Sequence, residues 1–265
     1  MGHWLQGVRS LDGSARARPH PGRAAPEFER SDSEISARPI RIVVVEDETL
    51  YLDLLTVALS HTAGLEVVGS FRAPGPALEG VPKLRPDAAL LDVNLRDEMN
   101  GVQLAVRLRD SLPRLGVVFL SQCVAPDVLE NLSDEQLFGC SYLLKRSGVH
   151  VDTLLRAIRG AVEGFVTLDP ELVSGRVARA NSRITSLSPR KRQLLDLLAQ
   201  GWTNDAIARR LYLSPKTVEN HIYNLYIDLG ITRDDPLINS RVRAVRMLLE
   251  STLPAPDGSG PPQER

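Results

Sequence analysis

Cysteine is almost absent: Cys123 and Cys140 are the only two in 265 residues. They make neither a disulfide framework nor a metal-ligand spacing, so they are read as free thiols of a reducing compartment. There is also no run of the roughly 18 apolar residues that a membrane-spanning helix needs. The opening stretch, MGHWLQGVRSLDGSARARPHPGRAAPEFER, has no apolar core of the kind a secretory signal requires. No internal repeat is visible. These absences argue against a disulfide-stapled secreted domain, a membrane span and a solenoid, and the expectation is a cytoplasmic protein.

What is present is an ordinary globular composition, 43% hydrophobic and 25% charged, at a length that suggests two domains. The net charge of −1 conceals an asymmetry. Residues 40–165 carry 12 Lys/Arg against 17 Asp/Glu, whereas residues 176–249 carry 13 against 6. An acidic half followed by a basic half implies two tasks, with the basic one suited to phosphates.

Residues 1–39, rich in Arg, Pro, Ser and Gly, read as a disordered extension, and residues 251–265 as a disordered tail. Between them the pattern changes at Ile40. Five apolar strands are expected at IRIVVV (40–45), LEVVGSF (65–71), AALLD (88–92), GVVFLS (116–121) and SYLL (141–144). Helical patterns alternate with them at 50–60, 74–84, 101–112, about 126–138 and 151–164. That alternation predicts an α/β fold, a doubly wound five-stranded parallel sheet in the order 2-1-3-4-5 covered on both faces. Residues 166–187 read as a linker with one helical piece. Residues 188–250 then show no strand pattern but four helices, making a small all-α domain. Ser188-Pro189 and Ser214-Pro215 open two of these helices, and Gly201 and Gly230 stop them. Thr203 or Asn204 caps a third, and the fourth runs from about Asn239 to Glu250.

In an open parallel sheet, functional groups gather at the carboxyl ends of the strands. Here the first strand ends in Glu46-Asp47, the third in Asp92 and the fourth in Ser121, and Lys145 follows the fifth. Clustered carboxylates repel one another, and a hard dication such as Mg²⁺ relieves that repulsion. A metal-bound, exposed aspartate can attack phosphorus to give an acyl phosphate. A lysine and a serine hydroxyl would then offset and hydrogen-bond the phosphoryl oxygens.

Residues 40–165 resemble the receiver domain of two-component response regulators, through VVVEDE, LLDVN, VVFLS and SYLLK. The resemblance implies that Asp92 accepts phosphate from a sensor histidine kinase. It also implies that Glu46, Asp47 and Asp92 hold Mg²⁺ with the backbone carbonyl of Asn94. Ser121 and Lys145 would stabilise the phosphoryl group, and Tyr142 would swing inward as a switch. Two departures stand out: the loop NLRDEMNG lacks the usual proline, and Gln122 replaces a common small residue.

In the basic half, TNDAIARRLYLSPKTVENHIYNLYIDLG has the proportions of a helix-turn-helix. Its apolar set, Ala206, Ile207, Leu211, Leu213, Val218, Ile222, Leu225 and Leu229, would form the core. Lys216, Thr217, Glu219, Asn220 and Tyr223 are left on an exposed face that can enter a major groove. The stretches LSPRKRQLLDLLAQGWTNDAIARRLYLSPKTVENHI and LGI resemble a LuxR-type DNA-binding domain. Glu219 stands where many members carry a basic residue, which suits reading a cytosine amino group better than binding phosphate. TRDDPLINSRVR after Ile231 is longer than the common spacing.

Receiver plus LuxR-type domain is the arrangement of a NarL/FixJ-type response regulator. The expectation is a transcription regulator with no enzymatic activity, a histidine kinase and double-stranded DNA as partners, homodimerisation on phosphorylation, and no membrane contact. One alternative is a regulator that binds DNA without phosphorylation, its receiver serving as a dimer module. The other is an Asp-nucleophile phosphatase, which would need a second Asp two residues after Asp92, where Asn94 stands.

Overall fold

A computed structural model describes residues 38–122, 132–145, 151–174, 183–231 and 239–252. Most of the disordered tails expected at either end, Cys123, and most of the longer segment after Ile231 lie outside the described residues, but Ser251 and Thr252, read as the start of the C-terminal tail, continue the last helix and Ser251 is buried in it.

The sheet begins with β1 (Ile40–Val45), β2 (Leu65–Phe71), β3 (Ala88–Asp92), β4 (Gly116–Ser121) and β5 (Cys140–Leu144). Helices α1 (Thr49–Ser60), α2 (Pro74–Leu84), α3 (Gly101–Ser111), the short α4 (Asp134–Leu137) and α5 (Val151–Val162) alternate with them. Every residue of β3, β4 and β5 is buried, as expected of parallel strands covered on both faces. Successive side chains alternate between two apolar layers. Ile42, Val44, Leu90, Val118 and Leu143 pack toward α1 and α5. Val43, Val45, Leu91, Phe119 and Tyr142 pack toward α2 and α3. At α3, Asn100 accepts the Gln103 N–H while the Gln103 side chain accepts the Asn100 N–H, so two otherwise orphan donors are satisfied.

The expected five strands are six, in the order β2-β1-β3-β4-β5-β6. The additional strand β6, Thr167–Leu168, lies in the stretch read as linker and pairs in parallel with β5. Its two residues are too few to show a period; the open edge of β5, rather than local pattern, makes them a strand. A five-residue helix, α6 (Pro170–Ser174), follows, and then α7 (Pro189–Ala199), α8 (Asn204–Leu211), α9 (Pro215–Leu229) and α10 (Ser240–Thr252).

Helix caps set the boundaries of the C-terminal helices. The side chains of Ser188, Thr203 and Ser214 accept N–H groups of Lys191, Ala206 and Thr217. Gly230 closes α9 at φ +70°, where a side chain is disfavoured. The apolar layer on the Tyr142 side of the sheet continues through Leu168, Leu172, Ile184 and Leu187 into α7–α10. α10 packs against α4, where Arg246 pairs with Asp134 and donates to the Leu132 carbonyl. Among the described residues, no helix is long and apolar enough to cross a membrane.

Candidate functional site

The strand ends bring Glu46, Asp47, Asp92 and Lys145 together. One carboxylate oxygen from each of the three acidic residues lies within 4.8 Å of the others. The Lys145 ammonium stands 2.6 Å from Glu46 Oε2 and 2.9 Å from Asp92 Oδ2, and the three side chains are 5%, 1% and 5% exposed. Asp92 is held by the following loop as well, since the Asn94 N–H donates to Oδ1 at 3.0 Å. Glu46 Oε1 similarly accepts the Glu48 N–H at 3.3 Å.

Burial pushes the Glu46 carboxyl above the usual carboxylate range; Lys145 opposes this and the charge of Asp92 adds to it. Tyr51, in the first turn of α1, faces Lys145 with its ring centroid 4.7 Å from the ammonium. Burial, together with Glu46, Asp92 and Glu48, pushes the Tyr51 phenol up to about 12. Asp47 is the most open of the three carboxylates and has Arg96 at 3.5 Å.

The three carboxylates outnumber their two basic partners, buried Lys145 and the exposed Arg96, so the pocket keeps an excess of negative charge. Hard oxygen donors with that excess suit a small divalent cation. Ser121 is fully buried at the end of β4, and its carbonyl accepts the Lys145 N–H at 2.7 Å. Tyr142, the expected switch aromatic, is buried at 1% exposure. Its strand lies between β4 and β6, where it pairs with Phe119 and Leu168.

In the basic half, Val218, Ile222, Leu225 and Leu229 turn one face of α9 inward. Lys216, Glu219, Asn220 and Tyr223 are exposed on the other. Thr217 is half-buried, its hydroxyl 2.7 Å from Ser214 Oγ, so part of its polar capacity goes to the helix cap. Lys216 and Glu219 pair at 3.0 Å, and such an exposed pair contributes little to stability.

The model of the response regulator receiver domain matches residues 42–159, and that of bacterial regulatory proteins of the luxR family matches residues 185–248. The DNA-binding transcriptional activator DevR/DosR of Mycobacterium tuberculosis is 30% identical over 229 residues, which is 84% of this chain and 100% of the relative. This chain belongs to the response regulators.

Within that family it is of the NarL type, a receiver joined to a LuxR-type DNA-binding domain. The probable transcriptional regulatory protein NarL of M. tuberculosis is 30% identical over 73% of this chain and 89% of its own length. The response regulator protein VraR of Staphylococcus epidermidis is 27% identical over 72% and 91%. The matched acidic and basic halves make this response regulator a DNA-binding transcription regulator.

Sequence reasoning missed three residues in or beside this regulator's acidic pocket. Tyr51 lies one helical turn past the acidic pair, where nothing distinguishes it from a core aromatic. Gly101 lies against the Asp92 backbone and is visible in sequence only as the residue after the Asn100 cap. Asp169, in the stretch read as linker, accepts the Leu144 N–H at 3.0 Å, one residue before Lys145.

Proposed function

We propose that this response regulator is switched by phosphorylation of Asp92 by a sensor histidine kinase. The observation that carries this reading is the Lys145 ammonium held between two buried carboxylates, Glu46 and Asp92, with Asp47 beside them. An Asp92 oxygen attacks the phosphorus of a phosphohistidine. The new O–P bond forms as the P–N bond breaks, and the imidazole leaves with the electron pair. Lys145, already at the reacting carboxylate, moves to an oxygen of the transferred group, and the Ser121 hydroxyl donates to another. The Asn94 N–H holds the carboxylate orientation throughout. Glu46, Asp47, Asp92 and the Asn94 carbonyl would hold Mg²⁺, which supplies positive charge to the phosphoryl oxygens. Asn94 has no ionisable proton to give a leaving group, which supports a switch rather than a turning-over phosphatase.

The working division is residues 40–165 as receiver, 166–187 as linker and 188–250 as DNA-binding domain, in a cytoplasmic protein. Repacking around the buried Tyr142 passes the change toward α4 and β6, and the protein dimerises on paired half-sites. Two copies double the phosphate contacts available to one small helical domain. Lys216, Thr217, Glu219, Asn220 and Tyr223 form the groove-facing surface.

The test is incubation of wild type and Asp92→Ala with Mg²⁺ and acetyl phosphate, followed by acyl-phosphate assay and DNA titration. Wild type gains one phosphoryl group and tighter DNA binding, and Asp92→Ala gains neither. Wild type without either gain would falsify the switch. Steady release of phosphate over many turnovers would instead favour the phosphatase.

A second expectation concerns the α9 ion pair. Glu219→Gln frees the Lys216 ammonium and removes a charge that repels phosphate. Binding to mixed-sequence DNA then tightens, and the slope of log K against log salt steepens by about 0.9 for the added phosphate contact. An unchanged slope with altered base preference assigns Glu219 to reading instead.

A further inference from the structure

Strand β6 stops before the sheet edge is fully paired. Ser141 and Tyr142 face Thr167 and Leu168, and the Asp169 N–H donates to the Tyr142 carbonyl at 2.8 Å. The chain then turns at Pro170 into α6, and the Asp169 carbonyl, which a continuing strand would offer to the Leu144 N–H, instead accepts the Leu172 and Val173 N–H groups. The Asp169 carboxylate takes that place: Oδ2 accepts the Leu144 N–H at 3.0 Å, and Oδ1 accepts the Glu171 N–H at 2.9 Å. The residue is buried, at 8% exposure.

Capping α6 alone would require one acceptor, which Ser, Thr or Asn supplies as well as Asp. Two acceptors facing two N–H donors require a carboxylate, because an amide would turn an NH₂ group toward one of them. The second bond ends on the residue next to Lys145. Lys145 itself is tied on the other side, its N–H donating to the Ser121 carbonyl at 2.7 Å. The end of β5 is therefore clamped between β4 and a side chain from the stretch that leads to the DNA-binding helices.

We propose that Asp169 is a positioning residue of the phosphoryl site: by bonding the end of β5, it holds Lys145 between Glu46 and Asp92. This rests on the phosphorylation of Asp92. The site is then complete only when β6 is docked, so its reactivity depends on the sixth strand of the sheet, in the stretch that leads to the DNA-binding helices. Loss of the bond frees the end of β5 and lets the ammonium leave the reacting carboxylate.

The experiment uses full-length protein carrying Asp169→Ala or Asp169→Asn, each also combined with Lys145→Ala. Phosphorylation rate is measured with acetyl phosphate and Mg²⁺, Mg²⁺ affinity by calorimetry, and Leu144 amide exchange by NMR. Asp169→Ala is expected to slow phosphorylation about tenfold, the lower end for a group that orients a reacting side chain from behind. Asp169→Asn, keeping one acceptor, falls between Ala and wild type. Mg²⁺ affinity stays within about twofold, because its carboxylate ligands follow β1 and end β3 rather than β5. Leu144 loses exchange protection in proportion to the rate loss. In the Lys145→Ala background, Asp169→Ala costs little more, since it acts through the missing ammonium.

A wild-type rate in Asp169→Ala, or a loss undiminished without Lys145, overturns the proposal. Equal losses of rate and Mg²⁺ affinity in both variants also overturn it, by making Asp169 a general support of the fold. If wild type itself forms no acyl phosphate, the phosphorylation of Asp92 fails and this proposal fails with it. That outcome is distinguishable because the unsubstituted protein is then silent.

Discussion

Lys145→Met lowers the stability of the metal-free protein by about 3–5 kcal/mol at neutral pH, the usual cost of removing one partner from a buried ion pair. The magnitude follows from the setting: Lys145, Glu46 and Asp92 are each at most 5% exposed, so solvent screens little of the lost interaction. The pH dependence has a definite sign. Glu46 already binds its proton more tightly in the fold than its ordinary value of 4.5, mainly through burial, and Lys145 is what opposes that rise. Without the lysine the folded value rises further. Below 4.5 the carboxyl is protonated in both folded and unfolded chains, and its ionisation penalty is absent. The penalty grows as pH rises from there through the raised folded value, where the unfolded chain has given up its proton and the fold still holds it. The gap between wild type and Lys145→Met therefore widens from acid toward neutral pH. Added Mg²⁺ returns stability to the variant by binding only the fold, about 2.7 kcal/mol at one hundred times its dissociation constant. Urea unfolding with chelator and with Mg²⁺, between pH 4 and 8, checks all three statements. An unchanged midpoint at neutral pH in chelator rules out the ammonium as the group that carries the two carboxylates.

The same pocket shows which parts of a fold can be read before it is seen. β3 and β4 are legible because strands buried on both faces consist of uninterrupted apolar runs, AALL and GVVFL, that end where the chain leaves the core. That geometry also places Glu46, Asp92 and Ser121 at one rim, since adjacent parallel strands end side by side. The boundaries of α7 and α9 are legible for another reason: Ser188, Ser214 and Gly230 satisfy terminal backbone groups locally, without help from distant residues.

What depends on distant partners is not legible. β6 exists because β5 offers an unpaired edge, and nothing in Thr167-Leu168 distinguishes it from loop. Asp169 reads as part of a linker, and only the fold shows its carboxylate reaching Leu144. Tyr142 could be recognised as an aromatic on β5, but its burial depends on how completely its neighbours cover it. Thr217 reads as a groove-facing residue, yet its position within the first turn of α9 commits its hydroxyl toward Ser214. In each case the missing information is the identity of the partner.

Gly101→Ala destabilises the protein by about 3 kcal/mol, the upper part of the range for overfilling a packed site. Gly101 opens α3 and donates its N–H to the Val93 carbonyl at 3.1 Å. A methyl group there would stand 2.0 Å from the Asp92 carbonyl oxygen, 2.9 Å from its carbon and 3.2 Å from Val93 Cα. All three atoms are backbone, so no side chain can rotate away, and either α3 or the end of β3 must move. Movement of β3 displaces the Asp92 carboxylate from Lys145 and Asn94, and a misplacement of about 1 Å at a reacting group can cost roughly a hundredfold in rate. Phosphorylation by acetyl phosphate is therefore expected to fall more steeply than stability does. Gly75→Ala is the contrast, because a methyl group at that position in α2 meets nothing within 4 Å. Alanine's helix propensity makes that change neutral or stabilising, by up to about 1 kcal/mol. Urea midpoints and phosphorylation rates of the two variants separate steric contact at Asp92 from any general cost of replacing glycine. A Gly101→Ala protein that keeps both its midpoint and its rate shows that α3 bends away freely and does not fix the position of Asp92.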